Sequence, residues 1–199
     1  MTFTKIPAKA KALIACTALF LTVSSSFAQE AQKVKFATTA GDFVVEVYPD
    51  KAPKTVENFL QYVKDKHYNG TIFHRVIENF MIQGGGFDTQ FAQKKTRAPV
   101  VHEGREALAK GGDKNIIGTL AMARTNDPQS ATAQFFINVK DNSFLDPSTQ
   151  QPGYTVFGKV VSGMETIQKI KITPTGAGGP FQSDVPKSPI LINSATLVK

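Results

Sequence analysis

The fold is decided by one stretch near the middle of the chain, Phe73-His74-Arg75-Val76-Ile77-Glu78-Asn79-Phe80-Met81-Ile82-Gln83-Gly84-Gly85-Gly86-Phe87. It contains most of two short apolar runs, residues 71–77 and 80–83, which are separated by the polar pair Glu78-Asn79. Such runs are typical of β-strands, and the three glycines are typical of a tight bend or bulge. The stretch therefore predicts two β-strands, the first of which places Arg75 among apolar side chains.

Further strands are predicted on both sides of this stretch. Residues 34–48 alternate apolar and polar positions around the turn sequence Thr39-Ala40-Gly41-Asp42, which is the pattern of a β-hairpin. Later apolar runs bounded by Gly, Pro, Asn or Asp predict additional strands, and the last of them would close the fold. These runs are residues 117–123, 135–139, 154–161 and 190–198.

Two helices are predicted between the strands. The first begins at Pro53 and carries apolar residues at the spacing i, i+3, i+4 and i+7 up to Val63, before Asn69-Gly70 ends it. The second is short and covers residues 163–171. Because strands outnumber helices and do not alternate with them, the sequence favours an all-β, mainly antiparallel sandwich or barrel over a parallel sheet.

Residues 1–28 have the features of a secretory signal peptide. Three lysines precede an apolar run at residues 12–23, and Ser26-Phe27-Ala28 is a small-x-small cleavage site. The run is shorter than the roughly 20 residues that a membrane-spanning helix needs, which disfavours an uncleaved anchor. A lipoprotein signal using Cys16 is the other alternative, but the apolar run continues past that residue. We expect cleavage after Ala28.

The mature part, residues 29–199, is long enough for one domain with its own core. Residues 104–115 and 173–189 are expected to be long surface loops of this domain. The only cysteine leaves with the leader, so no disulfide can stabilise the domain. Removing three lysines and no acid lowers the formal net charge from +7 to +4. This dispersed charge gives no case for nucleic-acid binding, and we expect no membrane association after cleavage.

Several familiar catalytic patterns are missing from the sequence. It contains no G-x-S-x-G motif, so no serine has the context of a hydrolase nucleophile. His102-Glu103 is not followed by a second histidine at metalloprotease spacing, and His67 and His74 have no evident third ligand. The glycines at 84–86 lack the lysine of a phosphate-binding loop. We therefore predict neither a metal nor another cofactor.

The quoted stretch and four later motifs, taken together, resemble the cyclophilin family of peptidyl-prolyl isomerases, in order and over residues 34–198. The resemblance implies a closed eight-stranded antiparallel β-barrel capped by two α-helices, with a substrate groove on its outer face. It also implies proline-containing polypeptides as substrates. The four later motifs are Ala121-Met122-Ala123-Arg124, Gln134-Phe135-Phe136-Ile137, Phe144-Leu145-Asp146 and Val156-Phe157-Gly158-Lys159-Val160.

The resemblance also implies roles for individual residues. Arg75 would be the catalytic guanidinium, with Gln83 as a second catalytic residue and Gln134 as a polar positioner. The proline pocket would be walled by Phe80, Met81, Phe136 and Leu145, and the rest of the groove would be lined by Ala123, Arg124, Phe144 and Tyr154. Taken alone, Arg75 is a strand-surface arginine, the two glutamines are surface amides, and His74 is a hydrogen-bonded structural histidine.

Elementary chemistry agrees with the role implied for Arg75. Rotation about an X-Pro bond has a barrier of about 18–20 kcal/mol and takes tens to hundreds of seconds unaided. A turnover of about 10 to 1000 per second needs roughly 4–7 kcal/mol of transition-state stabilisation. As the amide twists, its nitrogen regains a lone pair, which a fixed guanidinium can stabilise. No nucleophile or general base is needed.

Three groove positions depart from the usual family pattern. Phe144 stands where many members have tryptophan, Tyr154 where many have histidine, and Arg124 where asparagine is common. Because phenylalanine lacks the indole N–H donor, we predict weak cyclosporin binding with isomerase activity retained. Residues 125–133 also form a segment slightly longer than in the shortest members.

The sequence thus predicts a peptidyl-prolyl cis-trans isomerase that assists the folding of exported proteins. The leader places it in the periplasm, with a secreted location as the alternative, and a monomer is the default expectation. The competing function is a binding module that grips proline-containing segments with little turnover. A polyanion-binding protein is a third hypothesis and rests on charge alone.

Overall fold

The computed structural model describes residues 1–2 and 31–198. The predicted cleavage site and apolar run of the leader lie outside the described residues, so the leader stays a prediction. Ten strands follow one another along the described chain. They are β1 (Gln32–Thr38), β2 (Gly41–Val47), β3 (Thr71–Ile77), β4 (Met81–Asp88), β5 (Thr119–Met122), β6 (Phe135–Asn138), β7 (Val156–Ser162), β8 (Thr175–Gly178), β9 (Phe181–Pro186) and β10 (Leu191–Leu197).

Eight of these strands close into an antiparallel barrel in the order β1, β10, β3, β4, β6, β5, β7 and β2. The last strand in this order pairs with the first, because β1 and β2 form the predicted hairpin, with Val34 opposite Val45. Gly41 has a φ of +128° in the turn, a conformation that side chains with a Cβ rarely adopt. The predicted all-β barrel is therefore confirmed.

Within residues 31–198 the barrel carries three α-helices, α1 (Pro53–Lys64), α2 (Gly104–Ala109) and α3 (Met164–Lys171). The predicted α1 and α3 are present, whereas α2 lies in a segment that was expected to be a loop, so that prediction was wrong. A helix of six residues that buries only Gly104 and Ala107 is too short to show helical periodicity in the sequence. No helix in residues 31–198 is long and apolar enough to cross a membrane.

The segment 173–189 was also wrongly expected to be a loop, because β8 and β9 pair there as a separate hairpin with Thr175 opposite Pro186. Its residues are mostly glycine, proline and small polar types, and only Val185 and Pro186 are buried. A hairpin without alternating apolar residues gives no strand signal in the sequence. It is held by packing against the outside of β3.

The start of α1 is held by a carboxylate that lies far away in the sequence, just before α2. Glu103 is buried and accepts hydrogen bonds from the backbone N–H and the Oγ1 hydroxyl of Thr55, both at 2.7 Å, and from the Lys54 N–H at 3.2 Å. The first N–H groups of a helix have no intrahelical partner and favour negative charge, so this contact stabilises the start of α1.

The inward faces of the barrel strands and the buried faces of the helices form one apolar core. Phe36 and Phe43 stack across the β1–β2 hairpin with ring centroids 4.9 Å apart, and Phe135 packs 5.4 Å from Phe36. Burying a large apolar side chain contributes about 1.5–3 kcal/mol. A second, smaller apolar cluster lies on the opposite face of β4 to β7 and forms the floor of the candidate site.

Candidate functional site

One row of directly paired residues crosses five neighbouring strands on the outer face of the barrel. Arg75 on β3 is opposite Gln83 on β4, and Gln83 is opposite Phe136 on β6. Phe136 is in turn opposite Ala121 on β5, which pairs with Val156 on β7. Successive residues of a strand point to opposite faces, so these five side chains share one surface. The row joins a guanidinium, an amide and an apolar floor.

A bulge in β3 puts Arg75 on this surface. Phe73 is opposite Gly84 and Arg75 is opposite the adjacent Gln83, so β3 has one extra residue, His74, at this point. Phe73 and Val76 both belong to the interior core. Bulges re-aim side chains and are frequent beside active sites. The β4 glycines form a second irregularity, as the sequence predicted, because two extra β4 residues lie between Gly84 and Asp88.

The row borders a small cavity of about 100 Å³. Met81, Phe136 and Leu145 are buried in its apolar cluster, whereas the Arg75 side chain is 44% exposed. The fold therefore brings together nine of the eleven residues that the sequence predicted. The nine that line the cavity are Arg75, Phe80, Met81, Gln83, Ala123, Arg124, Phe136, Leu145 and Tyr154.

Gln134 lies beside the cavity and is joined to it through Gln83. The Gln83 Nε2 donates a hydrogen bond to the Gln134 Oε1 at 2.9 Å. Gln134 also lines an adjoining depression of about 370 Å³, which shares Gln83, Ala123 and Arg124 with the cavity. Gln134, the predicted polar positioner, therefore contacts the cavity only through Gln83.

Phe144 lies outside the cavity, at its edge. Its ring stacks on Phe80 with centroids 5.6 Å apart and an interplanar angle of 25°, and 62% of the residue is exposed. An exposed ring stacked on a wall residue extends the apolar surface without closing it. Phe144 is thus placed to contact a ligand that reaches beyond the cavity.

Arg124 is tied to the opposite rim by its own contacts. Its Nε and Nη2 donate to the Gly153 carbonyl at 3.1 and 2.7 Å, and its Nη1 donates to the Thr125 carbonyl at 2.8 Å. The guanidinium carbon lies 4.4 Å from the centroid of the Tyr154 ring, which meets Phe136 edge to face. Arg124 and Tyr154 thus form one wall of the cavity, and these contacts hold both side chains in place.

A buried amide network that the sequence did not reveal supports the other side of the groove. The Asn142 Nδ2 donates to the Phe80 carbonyl at 2.8 Å and to the Asn138 Oδ1 at 2.7 Å. Asn138 donates in turn to the Thr119 Oγ1 at 3.0 Å. The Leu145 N–H donates to the Asn142 carbonyl. Asn142 therefore holds the backbone of two pocket residues, Phe80 and Leu145. The burial that makes these asparagines important leaves no pattern in the sequence.

His74, the residue before Arg75, has a buried side chain. It is 3% exposed and packs between the rings of Phe87 and Phe181, with centroids at 4.8 and 5.5 Å. Burial, with a smaller contribution from the Arg75 charge, lowers the pKa of His74 to about 4. Its Nδ1 has no hydrogen-bond partner within the described chain. The imidazole is thus neutral and enclosed, as expected of a structural histidine, but aromatic packing surrounds it where a hydrogen bond to Nδ1 was expected.

The two histidines considered as metal ligands have separate environments. The His67 ring nitrogen lies 3.1 Å from the Gly85 carbonyl, and burial lowers the pKa of His67. His74 is enclosed by aromatic rings. Among residues 31–198, no three His, Cys, Asp or Glu side chains come together in a metal-binding arrangement.

Arg75 has a charged neighbour, Asp184 on β9, that could not be recognised from the sequence. The Arg75 Nε lies 3.7 Å from the Asp184 Oδ2. The two residues are more than a hundred positions apart in the chain, and β9 was not predicted as a strand. Only the docking of the β8–β9 hairpin brings them together.

Comparison with known proteins gives a consistent result. The family described as "Cyclophilin type peptidyl-prolyl cis-trans isomerase/CLD" matches residues 33–197. Peptidyl-prolyl cis-trans isomerase B of Escherichia coli K12 is 53% identical over 167 residues, which cover 82% of this chain and 98% of that protein. An isomerase of Acinetobacter baylyi is 52% identical over 164 residues, covering 82% of this chain and 84% of the relative.

Solved structures agree with the barrel described above. A cyclophilin-type isomerase of Cryptosporidium parvum superimposes with a TM-score of 0.65 at 25% identity, covering 85% of this chain and 99% of the other. The same protein in the presence of the dipeptide Ala-Pro gives a TM-score of 0.64 over 84% of this chain. Sequence, barrel and relatives agree, and the chain belongs to the cyclophilin-type peptidyl-prolyl cis-trans isomerases.

Proposed function

We propose that the groove around Arg75 isomerises X-Pro bonds in exported polypeptides and so assists their folding outside the cytoplasm. The observation that carries the proposal is the cavity lined by nine of the residues that the family resemblance implied. An apolar floor beside a guanidinium is what the reaction needs, because the proline ring is apolar while its nitrogen becomes a hydrogen-bond acceptor in the twisted state.

The residues divide this work between them. Met81, Phe136 and Leu145 take the proline ring and exclude water from the amide, and Arg75 donates to the nitrogen as it loses conjugation. A hydrogen bond to a charged group contributes about 1.5–3 kcal/mol, and burial of the ring together with exclusion of water contributes the remainder. Arginine keeps its charge throughout, so no proton is transferred. The neutral His74 takes no part in the chemistry.

The leader supports the proposed location. Residues 1–28 have the charge, apolar run and cleavage site of a signal peptide, and the family match begins only at residue 33. An isomerase carried across the inner membrane would meet polypeptides as they emerge unfolded. We propose the periplasm, or secretion as the alternative, and a monomeric enzyme.

The catalytic proposal is tested with residues 29–199 as the parent and Arg75→Ala as the variant, using the isomerisation rate of an X-Pro model peptide. Arg97→Ala is the matched control, because Arg97 is exposed and pairs with Asp65, the residue that follows α1. We expect Arg75→Ala to lose most of kcat/KM and the control to keep it, with unchanged circular dichroism. An inactive, folded parent would favour the binding-module alternative.

The location is tested separately with the full chain. Cell fractionation followed by amino-terminal sequencing should recover a protein that begins at Gln29 in the periplasm or medium. A protein that still begins at Met1 and remains in the cytoplasm would contradict export without affecting the catalytic proposal.

A further inference from the structure

The β8–β9 hairpin is seated on the outside of β3, directly beside Arg75. Phe181 on β9 packs against His74 at 5.5 Å and meets Phe87 edge to face at 5.2 Å. It also contacts Phe91, with ring centroids 6.2 Å apart. The hairpin is therefore anchored by aromatic rings next to the bulge that presents Arg75.

Two glycines make this seat close-fitting. A Cβ on Gly179 would lie 2.3–2.7 Å from atoms of Phe91, and one on Gly178 would lie 2.8 Å from the Val185 side chain. Contacts below 3.0 Å require something to move, so a side chain at either position would displace Phe91 or Val185. The lack of a side chain at Gly179 therefore lets the hairpin lie close against Phe91, and the lack of one at Gly178 lets β8 lie close to Val185 on β9.

Asp184 adopts an unusual backbone conformation in this hairpin. Its φ is +67°, in the left-handed region that most residues avoid and that aspartate and asparagine tolerate best. From there the Asp184 Oδ2 comes within 3.7 Å of the Arg75 Nε, and the Asp184 side chain is 34% exposed. That separation makes the contact an ion pair rather than a direct hydrogen bond.

The contact between Asp184 and Arg75 contributes more to the orientation of the guanidinium than to the stability of the fold. Ion pairs between partly exposed side chains add little to the free energy of unfolding. An arginine side chain has several rotatable bonds, however, and catalysis by a donor depends on its placement. A carboxylate beside Nε attracts that end of the guanidinium and leaves the two terminal nitrogens available to the groove.

We infer that Asp184 is a positioning residue that holds the Arg75 guanidinium toward the proline nitrogen. This inference rests on the proposed catalytic role of Arg75. Asp184 itself touches neither substrate nor the reacting bond. The hairpin thereby becomes part of the active site, although it pairs with no barrel strand.

The test compares Asp184→Asn and Asp184→Glu in the purified protein, with an X-Pro peptide as substrate. Asparagine keeps the size and the tolerance of a positive φ but removes the charge. We expect Asp184→Asn to lower kcat about fivefold with little change in KM, because orientation matters most in the transition state. Asp184→Glu should restore part of the lost activity, and melting temperatures should stay close to the parent value.

Two further variants separate the possible results. Glu78→Gln removes an acid from the exposed turn between β3 and β4 and should leave kcat unchanged. In an Arg75→Ala background, Asp184→Asn should cause no additional loss, since its effect passes through Arg75. An equal loss in both backgrounds, or parental kcat in Asp184→Asn while Arg75→Ala is inactive, would overturn the inference alone. Full activity of Arg75→Ala would overturn the proposed site as well.

Discussion

The Gln134 side chain packs directly against Gly86, and its amide oxygen accepts a 2.9 Å hydrogen bond from the Gln83 Nε2. A Cβ on Gly86 would be only 2.5 Å from the Gln134 Cγ and 2.6 Å from its Cδ and Nε2. The absence of a side chain at position 86 is therefore what allows the two glutamines to meet. The glycine contributes to the groove without lining it.

Substituting Gly86 by alanine should displace Gln134 and break its hydrogen bond to Gln83. A hydrogen bond contributes about 1 kcal/mol, so kcat/KM should fall about fivefold in a peptide isomerisation assay. Gly176→Ala is a suitable control, because its added methyl group meets only the Lys187 Cε at 3.4 Å. Parental activity in Gly86→Ala would mean that the glutamine pair does not influence the reaction.

Replacing Arg75 by lysine should keep the charge and lose most of the activity. Lysine lacks the planar guanidinium, so it cannot interact with Asp184 and the proline nitrogen through separate nitrogens. Loss of one charged hydrogen bond, about 2 kcal/mol, corresponds to roughly a 30-fold decrease in kcat/KM. Thermal unfolding should be almost unchanged. If Arg75→Lys were as active as the parent, charge alone would explain the catalysis.

Replacing Phe144 by tryptophan should strengthen cyclosporin binding. Phe144 stacks on Phe80 and is 62% exposed, so a larger ring can be accommodated and its indole N–H becomes available to the ligand. Inhibition should tighten by about tenfold, the factor expected for one added hydrogen bond in an apolar setting. Peptide turnover without the inhibitor is the internal control. Nanomolar inhibition of the parent would contradict the weak binding that we predict.

Buried His74 should make stability depend on pH. The pKa of His74 is about 4 in the folded protein against 6.5 for an unperturbed group. The unfolded chain therefore gains a proton as the pH falls below 6.5, whereas the folded protein stays neutral until about pH 4. This residue should contribute its full stability above pH 6.5 and lose about 3 kcal/mol of it by pH 4.

Urea unfolding between pH 7 and pH 4 can measure this dependence, with His74→Gln as the comparison. The variant lacks the titrating group, so its free energy of unfolding should change less steeply over that window even if it is less stable overall. Equal slopes in the two proteins would assign the pH dependence to other groups, among which His67 and His102 also have pKa values lowered by burial.

Much of the fold could be predicted because the barrel strands carry strong local signals. The β1–β2 hairpin alternates around Gly41, and α1 shows one apolar face after Pro53. The elements that were missed, α2 and the β8–β9 hairpin, bury few residues of their own. Their structure depends on contacts with distant parts of the chain, which a local pattern does not contain.

The candidate site likewise contains residues that could be predicted from the sequence and residues that could not. The resemblance named the groove residues, and the fold brings nine of them to one cavity. It did not indicate Asp184, whose contact with Arg75 exists only because the hairpin docks on β3, or Asn142, whose role depends on its burial beneath Phe80. The roles of such supporting residues depend on their position in the folded structure. Aspartate and asparagine are common in ordinary loops, so their residue types alone do not reveal these roles.

The alternation of the barrel strands has a consequence for mutational scanning. On β4, Ile82 belongs to the interior core, while Met81 and Gln83 border the cavity; on β6, Phe135 is interior and Phe136 faces the groove. Alternate residues of the same short strands therefore determine folding and turnover. Substitutions at the groove-facing positions should give soluble but slow enzymes, whereas substitutions at the interior positions should give insoluble protein. Substrate preference can thus diverge without any change in the interior.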